Sequence, residues 1–338
     1  MDKHRYIIRE QGRYGYMNEG GEVVVWPQYR RAWDFHNGFG LVEWMDHPIA
    51  LDWLGRPLVR HLFREVKPFE EGLACVQLAQ QWGFMDEMGQ LKVPCLFQVA
   101  QSFSEGLALV KFGHLYGFLD TEGQVAIDFT FELAASFANG MAAARLDDRF
   151  GYINPDGEWV IEPDYELVLP WQAGVGIVVR NGQWGLMDAA GQLITPLHFA
   201  WLPEHPPVFA EGCCLMQQNG LYGFINNRGQ WMVQPVWQDA LPASEGLAAV
   251  CDGRLWGYMD TRDNLVIEPV YQAVQPFSEG LAAVSQRGLW GYVDPAGEVV
   301  IPFKFEAAAP CKNGLCRVTY QGRWIYLHPD TGVVWHEK

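Results

Sequence analysis

The sequence has no long apolar run and no secretory signal. None of its segments approaches the roughly 20 uninterrupted apolar residues of a membrane-spanning helix. The N-terminal stretch MDKHRYIIRE lacks both the apolar segment and the small-residue cleavage site that direct a chain to secretion. We therefore expect a cytoplasmic protein that does not insert into a membrane.

Positive charge is scarce in this chain. It carries 24 Lys and Arg residues against 40 Asp and Glu residues, which gives a formal net charge of −16. Such a chain repels phosphate backbones and anionic lipids at long range, so we expect no nucleic-acid partner. The charge instead favours another protein with a basic surface as the partner.

Motifs that carry catalysis are missing from the sequence. It contains no Gly-rich phosphate loop, no Gly-x-Ser-x-Gly elbow, no His-Glu-x-x-His and no Cys-x-x-Cys. The nine histidines are scattered without a common spacing, so they do not indicate a metal site. The sequence predicts no enzyme, no cofactor and no metal.

The seven cysteines are odd in number and show no regular pairing. Five of them lie in or beside one short apolar segment that repeats along the chain, namely Cys75, Cys213, Cys214, Cys251 and Cys316. We interpret them as reduced core residues of a cytoplasmic protein, and the vicinal pair Cys213 and Cys214 as packing rather than redox chemistry.

What the sequence does have is apolar material arranged in a repeat. Apolar residues make up 49% of the chain and aromatic residues 14%, which is ample for an extensive core. An aromatic residue followed by glycine recurs at Tyr14-Gly15, Trp82-Gly83, Tyr116-Gly117, Phe150-Gly151, Trp184-Gly185, Tyr222-Gly223, Trp256-Gly257 and Trp290-Gly291. With degenerate copies at Pro48-Ile49 and Trp324-Ile325, the steps are 34 residues, except for one of 38 after Trp184.

A second marker, in most copies Glu-Gly or Asn-Gly, runs in phase with the first and is shifted once by the same four residues. Two markers that share one period define a tandem array of ten units. The units start near residues 1, 37, 71, 105, 139, 173, 211, 245, 279 and 313. We expect residues 1–338 to form a single continuous array.

Each unit has the pattern of a three- or four-stranded β-meander. Short apolar runs alternate with breaks, and Asp or Asn recurs with Gly three residues later, as in Asp120 and Gly123. This spacing is typical of a type I turn in which the carboxylate or amide caps the turn and Gly takes the left-handed position. In the eighth unit Asp263 replaces that Gly, which a left-handed turn tolerates.

The apolar runs indicate that the units stack. In Leu107-Ala108-Leu109-Val110 and its relatives, apolar side chains point to both faces of the strand. A sheet with two apolar faces must be covered on both sides, and one unit of this size cannot supply that cover. Neighbouring units must therefore cover each other, with the Gly of each pair allowing the next sheet or ring to come close.

The fold class that follows is all-β, with ten meander units of about 34 residues stacked like blades. The array is propeller-like or a superhelical solenoid, and the sequence does not choose between a closed ring and an open spiral. The aromatic residues of the repeated pairs are expected to be mostly core.

These units resemble the WG repeats of bacterial proteins, which are named for the Trp-Gly pair. They share the Glu-Gly-Leu-Ala segment and the Pro-x-Tyr/Phe-Glu tail of those repeats, and the resemblance covers essentially the whole chain. It implies a versatile module without shared catalytic residues. The second unit departs by losing its aromatic-Gly pair, and the tenth has Ile325 and His328 where Gly and Asp are expected.

Three sets of residues are candidates for binding. The first is the one basic stretch of the chain, in the second unit, where arginine forks and tryptophan anchors suit a carboxylate-rich partner; its residues are Trp44, Trp53, Arg56, Arg60 and Arg64. The alternative is a decayed unit with solvated charges.

The second candidate is the four-residue expansion, because insertions in repeat arrays map to surface loops. Its site residues are Trp201, Glu204 and His205, and three prolines make it stiff, but it is equally well explained as a harmless insertion. The third candidate is an acidic edge at one repeat position, Glu71, Glu105, Glu211, Glu245 and Glu279. The alternative is a solvated row of turn residues.

We predict a non-enzymatic repeat scaffold that mediates protein–protein interaction with a basic protein. An adaptor or neutraliser of a toxin or effector is a narrower form of this hypothesis. The alternative is a carbohydrate or cell-envelope binding module that uses the repeated aromatics as stacking platforms, which requires the Trp of the Trp-Gly pairs to face solvent.

Overall fold

The chain folds into short antiparallel sheets that follow one another along the sequence. A computed structural model describes residues 4–58, 63–203 and 206–338. Two compact units make up the chain, Met1–Trp201 and Leu202–Lys338, and the division falls at the four-residue expansion. That all ten sheets form one continuous array stays a prediction. The described residues include no helix with the length and apolar character needed to cross a membrane.

Strands account for nearly all the regular structure of both units. The first unit contains β1 (Tyr6–Glu10), β2 (Arg13–Met17), β3 (Val23–Tyr29), β4 (Gly40–Trp44), β5 (His47–Leu51), β6 (Glu65–Glu70), β7 (Leu73–Leu78), β8 (Gln81–Asp86), β9 (Leu91–Phe97), β10 (Val99–Ala100), β11 (Leu107–Phe112), β12 (Leu115–Asp120), β13 (Val125–Phe131), β14 (Leu133–Ala134), β15 (Ala142–Leu146), β16 (Arg149–Ile153), β17 (Trp159–Tyr165), β18 (Leu167–Val168), β19 (Gly176–Arg180), β20 (Gln183–Met187) and β21 (Phe199–Ala200).

The second unit contains β22 (Phe209–Ala210), β23 (Cys213–Gln218), β24 (Leu221–Asn226), β25 (Trp231–Trp237), β26 (Asp239–Ala240), β27 (Leu247–Cys251), β28 (Trp256–Asp260), β29 (Leu265–Tyr271), β30 (Ala273–Val274), β31 (Ala282–Gln286), β32 (Leu289–Val293), β33 (Val299–Phe305), β34 (Ala307–Ala308), β35 (Cys316–Tyr320), β36 (Arg323–His328) and β37 (Gly332–His336).

Within the described ranges these strands form ten sheets, which confirms the predicted all-β repeat. Eight sheets have four strands in sequential order, the first has three (β1 to β3), and the second has two (β4 and β5). The predicted turns are present as well. Asp120 Oδ1 accepts hydrogen bonds from the N–H groups of Glu122 and Gln124, and Gly123 lies at φ +81°.

The prediction that the apolar run at residues 107–110 is buried on both faces is confirmed. Leu107 and Leu109 of β11 pack against residues of the following sheet, including Phe137. Ala108 and Val110 of the same strand pack against the preceding sheet, including Phe84. Successive sheets therefore share one apolar layer between each pair, as a two-faced strand requires.

A buried tyrosine joins successive sheets at several positions that the sequence analysis missed. Tyr16, Tyr152, Tyr258 and Tyr292 stand directly after the Gly of the repeated pair and are fully buried. The hydroxyl of Tyr258 donates a hydrogen bond to the carbonyl oxygen of Gln275 at 2.7 Å. Burial removes these tyrosine hydroxyls from water and raises their pKa, so they remain neutral donors.

The prediction for the repeated glycine was right about a close approach and wrong about what approaches. A Cβ on Gly117 would lie 2.7 Å from the carbonyl oxygen of Ile127 and 3.1 Å from the carbonyl carbon of Asp128. Both atoms belong to β13, the outer strand of the same sheet, and not to the next sheet. The register between β12 and β13 shifts at this point, so the glycine makes room for an irregularity within its own sheet.

One cysteine prediction is also wrong. Cys311 and Cys316 form a disulfide bond, although Cys316 is among the five cysteines that we expected to be reduced. Cys311 occupies the repeat position of Phe277, and Cys316 that of Ala282, both of which are buried. A buried contact between neighbouring core positions is replaced by a covalent bond, which spacing along the sequence does not reveal.

We expect Gly117→Ala to destabilise the first compact unit by about 2–4 kcal/mol, because the added methyl group overlaps the backbone of β13. Gly20→Ala is the matched control in the same unit, since a Cβ there meets only the Asn18 side chain at 3.5 Å. Urea unfolding followed by circular dichroism measures both variants. Equal midpoints for the two variants would contradict the assigned role of the glycine.

Candidate functional site

The glutamates of the predicted acidic edge bind backbone N–H groups of the next repeat. In the second compact unit, Glu245 Oε1 accepts a hydrogen bond from the N–H of Glu279 at 2.5 Å, and Glu245 Oε2 accepts one from Gly280 at 2.8 Å. Glu279 binds the N–H groups of Asn313 and Gly314 in the same way, at 2.5 and 2.7 Å. Each carboxylate thus holds the turn of the next repeat.

The other three glutamates make the same contact. Glu211 binds the N–H groups of Glu245 and Gly246, while Glu71 and Glu105 bind Gly106 and Gly140 at 2.9 and 2.8 Å. Within the first compact unit the contacts of Glu71 and Glu105 each span one repeat, and within the second unit those of Glu211, Glu245 and Glu279 do the same. Whether these glutamates also form one acidic edge that meets a partner stays a prediction.

The basic stretch is spread out rather than gathered into a patch. Trp44 lies at the hairpin between β4 and β5, with its ring centroid 5.7 Å from that of Tyr29. Trp53 lies at the opposite end of β5, under the guanidinium of Arg5 at 3.8 Å. Arg56 is paired with Asp52, since its Nε lies 2.6 Å from Oδ2.

The remaining predicted residues are divided between described and undescribed parts of the chain. Arg64 lies on the surface directly before β6. Trp201 is half-buried, and its backbone N–H donates a hydrogen bond to the carbonyl oxygen of Gly182 at 3.0 Å. Arg60, Glu204 and His205 lie outside the described residues.

A groove of about 430 Å³ lies in the first compact unit, between the segment that leads into β4 and the strand β6. We call it the Trp33 groove, because Trp33 is 44% exposed and lines it. Its apolar lining consists of Trp33, Phe39, Leu41, Pro48, Val66, Pro68 and Phe69. Of the predicted basic stretch, Arg64 lines this groove.

The groove was not predicted because Trp33 is unusual only in comparison with the equivalent positions of the other repeats. Trp33 occupies the position held by Gln101, Ala135, Leu169, Leu241 and Ala309 in other units. The departure is visible in the sequence once the units are aligned at the first strand, where a large aromatic replaces aliphatic or polar residues. Trp33 lies 11 residues before Trp44, the first residue of the basic stretch.

Carboxylates dominate the charge of the groove lining. Asp34, Glu43, Asp46 and Glu65 face Arg64 and Lys67. The Lys67 ammonium is already engaged, because its Nζ donates to the carbonyl oxygen of Ala100 at 3.0 Å and to Gln101 Oε1 at 2.9 Å. Arg30 pairs with Asp46, and Arg31 with Glu43 at 3.5 Å.

The vicinal thiols are poor nucleophiles. Burial raises the pKa of Cys214 to about 12, and burial together with the nearby Glu211 charge raises that of Cys213 to about 11. The reactive form of a cysteine is the thiolate, which such pKa values suppress near neutral pH. In the described ranges, no three His, Cys, Asp or Glu side chains are grouped so that they could hold a metal ion.

Comparison with protein families finds one repeat model that matches most of the chain. The model of the WG containing repeat matches residues 14–43, 54–80, 82–113, 116–149, 150–184, 222–255, 256–290 and 290–324. A search of curated proteins found no match.

Several solved structures resemble the chain at low sequence identity. A eukaryotic initiation factor is 12% identical with a TM-score of 0.57, over 88% of this chain and 95% of that one. The dihydro-heme d1 dehydrogenase NirN is 12% identical with a TM-score of 0.41, over 89% and 73%. BamB from Moraxella catarrhalis is 11% identical with a TM-score of 0.36, over 92% and 97%. At these identities the likeness concerns the fold alone.

We expect Glu245→Gln to destabilise the second compact unit by about 1 kcal/mol, because an amide offers one acceptor where the carboxylate offers two. Glu268→Gln is the matched control, since Glu268 is an exposed residue of the same unit. Chemical denaturation measures the difference. A Glu245→Gln variant as stable as the control would show that the contact adds nothing.

For the buried thiols we expect Cys213 and Cys214 to react with a disulfide reagent roughly 100-fold more slowly in the native protein than in urea. An exposed thiol introduced as Ala296→Cys serves as the control and reacts fast in both states. Mass spectrometry of the labelled peptides after a timed exposure distinguishes the sites. Native labelling of Cys213 or Cys214 at the rate of the control would contradict the structure.

Proposed function

This chain belongs to the family of proteins built from WG containing repeats, and on that premise we propose that it is a non-enzymatic scaffold that binds another protein. The groups that recur along the repeats build the sheets and join each sheet to the next. Glycines admit the outer strand, tyrosines and glutamates bind the backbone of the next repeat, and aromatic rings pack in the shared layers. Binding then falls to surfaces that differ between units.

The observation that carries the proposal is the Trp33 groove. It combines an exposed tryptophan, two prolines and charged side chains around a concave space of about 430 Å³. A concave surface with an aromatic anchor and a polar rim has the anatomy of the central part of a protein interface.

Charge favours a basic partner. The net charge of −16 attracts a positively charged surface and speeds its association at low salt. A basic toxin or effector that the scaffold adapts or neutralises is the narrower form of this proposal. We place the encounter in the cytoplasm.

The carbohydrate alternative has less support in the geometry. It needs the tryptophans of the repeated pairs at the surface, whereas Trp184 is 2% exposed and Trp82, Trp256 and Trp290 are half-buried against the sheet cores. Rings in these positions present little face to a sugar.

The full-length protein, immobilised and exposed to native lysate at about 50 mM and about 500 mM salt, tests the scaffold proposal. We expect one or a few basic proteins to be captured at low salt and to be weakened at high salt, as identified by mass spectrometry. An unrelated immobilised protein of similar net charge is the control, because it shows which proteins bind acidic surfaces in general. If nothing is enriched beyond this control, or if capture ignores salt, the proposal fails.

A further inference from the structure

We propose that Cys311 and Cys316 form a reversible redox site, and that its reduction by a small thiol loosens the hairpin that carries both cysteines. We call residues 309–316 the cysteine hairpin. The inference concerns described residues of the second compact unit alone, and it does not depend on the proposed binding function.

The first support is the place of the disulfide in the fold. Lys312 and Leu315 exchange two backbone hydrogen bonds, of 2.9 and 3.2 Å, and so close a tight turn. Cys311 and Cys316 lie directly outside this turn, with their Cα atoms 4.1 Å apart. The disulfide therefore links the two arms of the cysteine hairpin where they leave the turn.

The second support is the ring that the disulfide replaces. One repeat earlier, Phe277 occupies the position of Cys311, and its ring centroid lies 4.8 Å from that of the buried Tyr258. Tyr292 is the equivalent tyrosine for the last sheet, and it shares a core cluster with Cys311 and Cys316. Two cysteines cover less of this tyrosine than a phenylalanine ring does, and the bond compensates by fixing their positions.

The third support is the set of polar contacts that end on the cysteine hairpin. From the preceding sheet, Ser278 Oγ donates to the carbonyl oxygen of Cys311 and Tyr292 Oη to that of Ala309, both at 2.7 Å. Glu279 accepts hydrogen bonds from two N–H groups of the turn. These bonds depend on distance and direction, so a looser hairpin weakens its attachment to the preceding sheet.

Reduction removes a constraint inside the core. Cys311 is 2% exposed and Cys316 is 0% exposed. Without the bond, the two arms of the hairpin regain conformational freedom, and the two sulfur atoms must separate to van der Waals contact within the core cluster. The reduced hairpin is therefore held less firmly than the oxidised one.

The array nevertheless tolerates two small unlinked side chains at these positions. Two repeats earlier, Ala243 and Ala248 stand where Cys311 and Cys316 stand here, and both alanines are buried. That hairpin is closed by the same pair of backbone hydrogen bonds, between Ser244 and Leu247. Reduction therefore loosens the cysteine hairpin without unfolding its sheet, as a reversible site requires.

Glutathione supplies the chemistry. Its thiolate attacks one sulfur of the disulfide, forms a mixed disulfide with that cysteine and releases the other cysteine as a thiolate. A second glutathione attacks the mixed disulfide, so that two glutathiones and one protein disulfide become one glutathione disulfide and two protein thiols. Because both sulfur atoms are buried, the attack requires the hairpin to open, so opening and reduction favour each other. The reverse exchange with glutathione disulfide restores the bond.

A glutathione titration of the native full-length protein tests reversibility. Samples are equilibrated at ratios from excess oxidised to excess reduced glutathione, quenched with acid and alkylated, and peptide mass spectrometry gives the bonded fraction of Cys311 and Cys316. We expect this fraction to fall as reduced glutathione rises and to return when oxidised glutathione is restored. A bond that never forms, or that is reduced only after urea is added, overturns the inference.

Hydrogen exchange followed by mass spectrometry measures the effect on the fold. We expect the backbone amides of residues 309–316 to exchange about tenfold faster in the reduced protein than in the oxidised protein. The hairpin flanked by Ala243 and Ala248 is the internal control, because it carries no thiol, and its amides should exchange equally in both states. Equal rates in the cysteine hairpin, or an equal change in both hairpins, would refute the proposed effect.

Variants separate the bond from other effects of glutathione. Cys316→Ala, which matches Ala282 one repeat earlier, should exchange rapidly in both buffers. Combining it with Cys311→Phe restores the side-chain pair of that repeat and should give slow exchange in both buffers. Cys251→Ala is the matched control, because Cys251 is a buried free cysteine of the same compact unit, and it should keep the full response. Slow exchange in Cys316→Ala alone, or loss of the response in Cys251→Ala, would show that the bond does not govern the hairpin.

Discussion

The structure depends on the fact that its strands are apolar on both faces. Leu107 and Leu109 need cover on one side, and Ala108 and Val110 need it on the other. No single sheet of two to four short strands can supply both layers, so each sheet is stable only between neighbours. The regular spacing of the sequence is the consequence, because every repeat must present the same two faces to the repeats on either side.

Polar groups then fix how neighbouring repeats meet. An apolar layer alone permits sliding, since the hydrophobic effect has no direction. The hydroxyl of Tyr258 binds one backbone carbonyl of the next repeat, and the carboxylate of Glu245 binds two N–H groups of the next turn. These contacts are directional. The buried tyrosine and the exposed glutamate together define the register between successive sheets.

Sequence reasoning succeeded where the cause is local and failed where it is not. The two-faced strands and the Asp120 turn follow from residues a few positions apart, which the sequence displays directly. The partners of Glu245 lie 34 and 35 residues away, and glutamates at one repeat position do not show which atoms they bind. The sequence therefore predicted the repeated glutamates but not their hydrogen bonds.

The same limit explains why the neighbour of the repeated glycine, the disulfide and the groove were not predicted. Gly117 was assigned to the wrong neighbour because a close approach within the sheet and one between sheets have the same signature, a missing side chain. Cys316 was interpreted without Cys311, although the two replace positions that lie together in the core. Trp33 was overlooked because its oddity appears only against the aligned repeats.

A repeat array also explains why an irregular unit is tolerated. Its stability is close to a sum of contributions from repeats and from the interfaces between nearest neighbours, so a departure in one unit weakens one or two interfaces and leaves the others intact. The second sheet has two strands among the described residues, and Ile49 stands there in place of the repeated glycine. Such a unit carries the exposed Trp33 and the groove that Trp33 lines. The features that weaken the stack locally are thus the ones that leave this groove open.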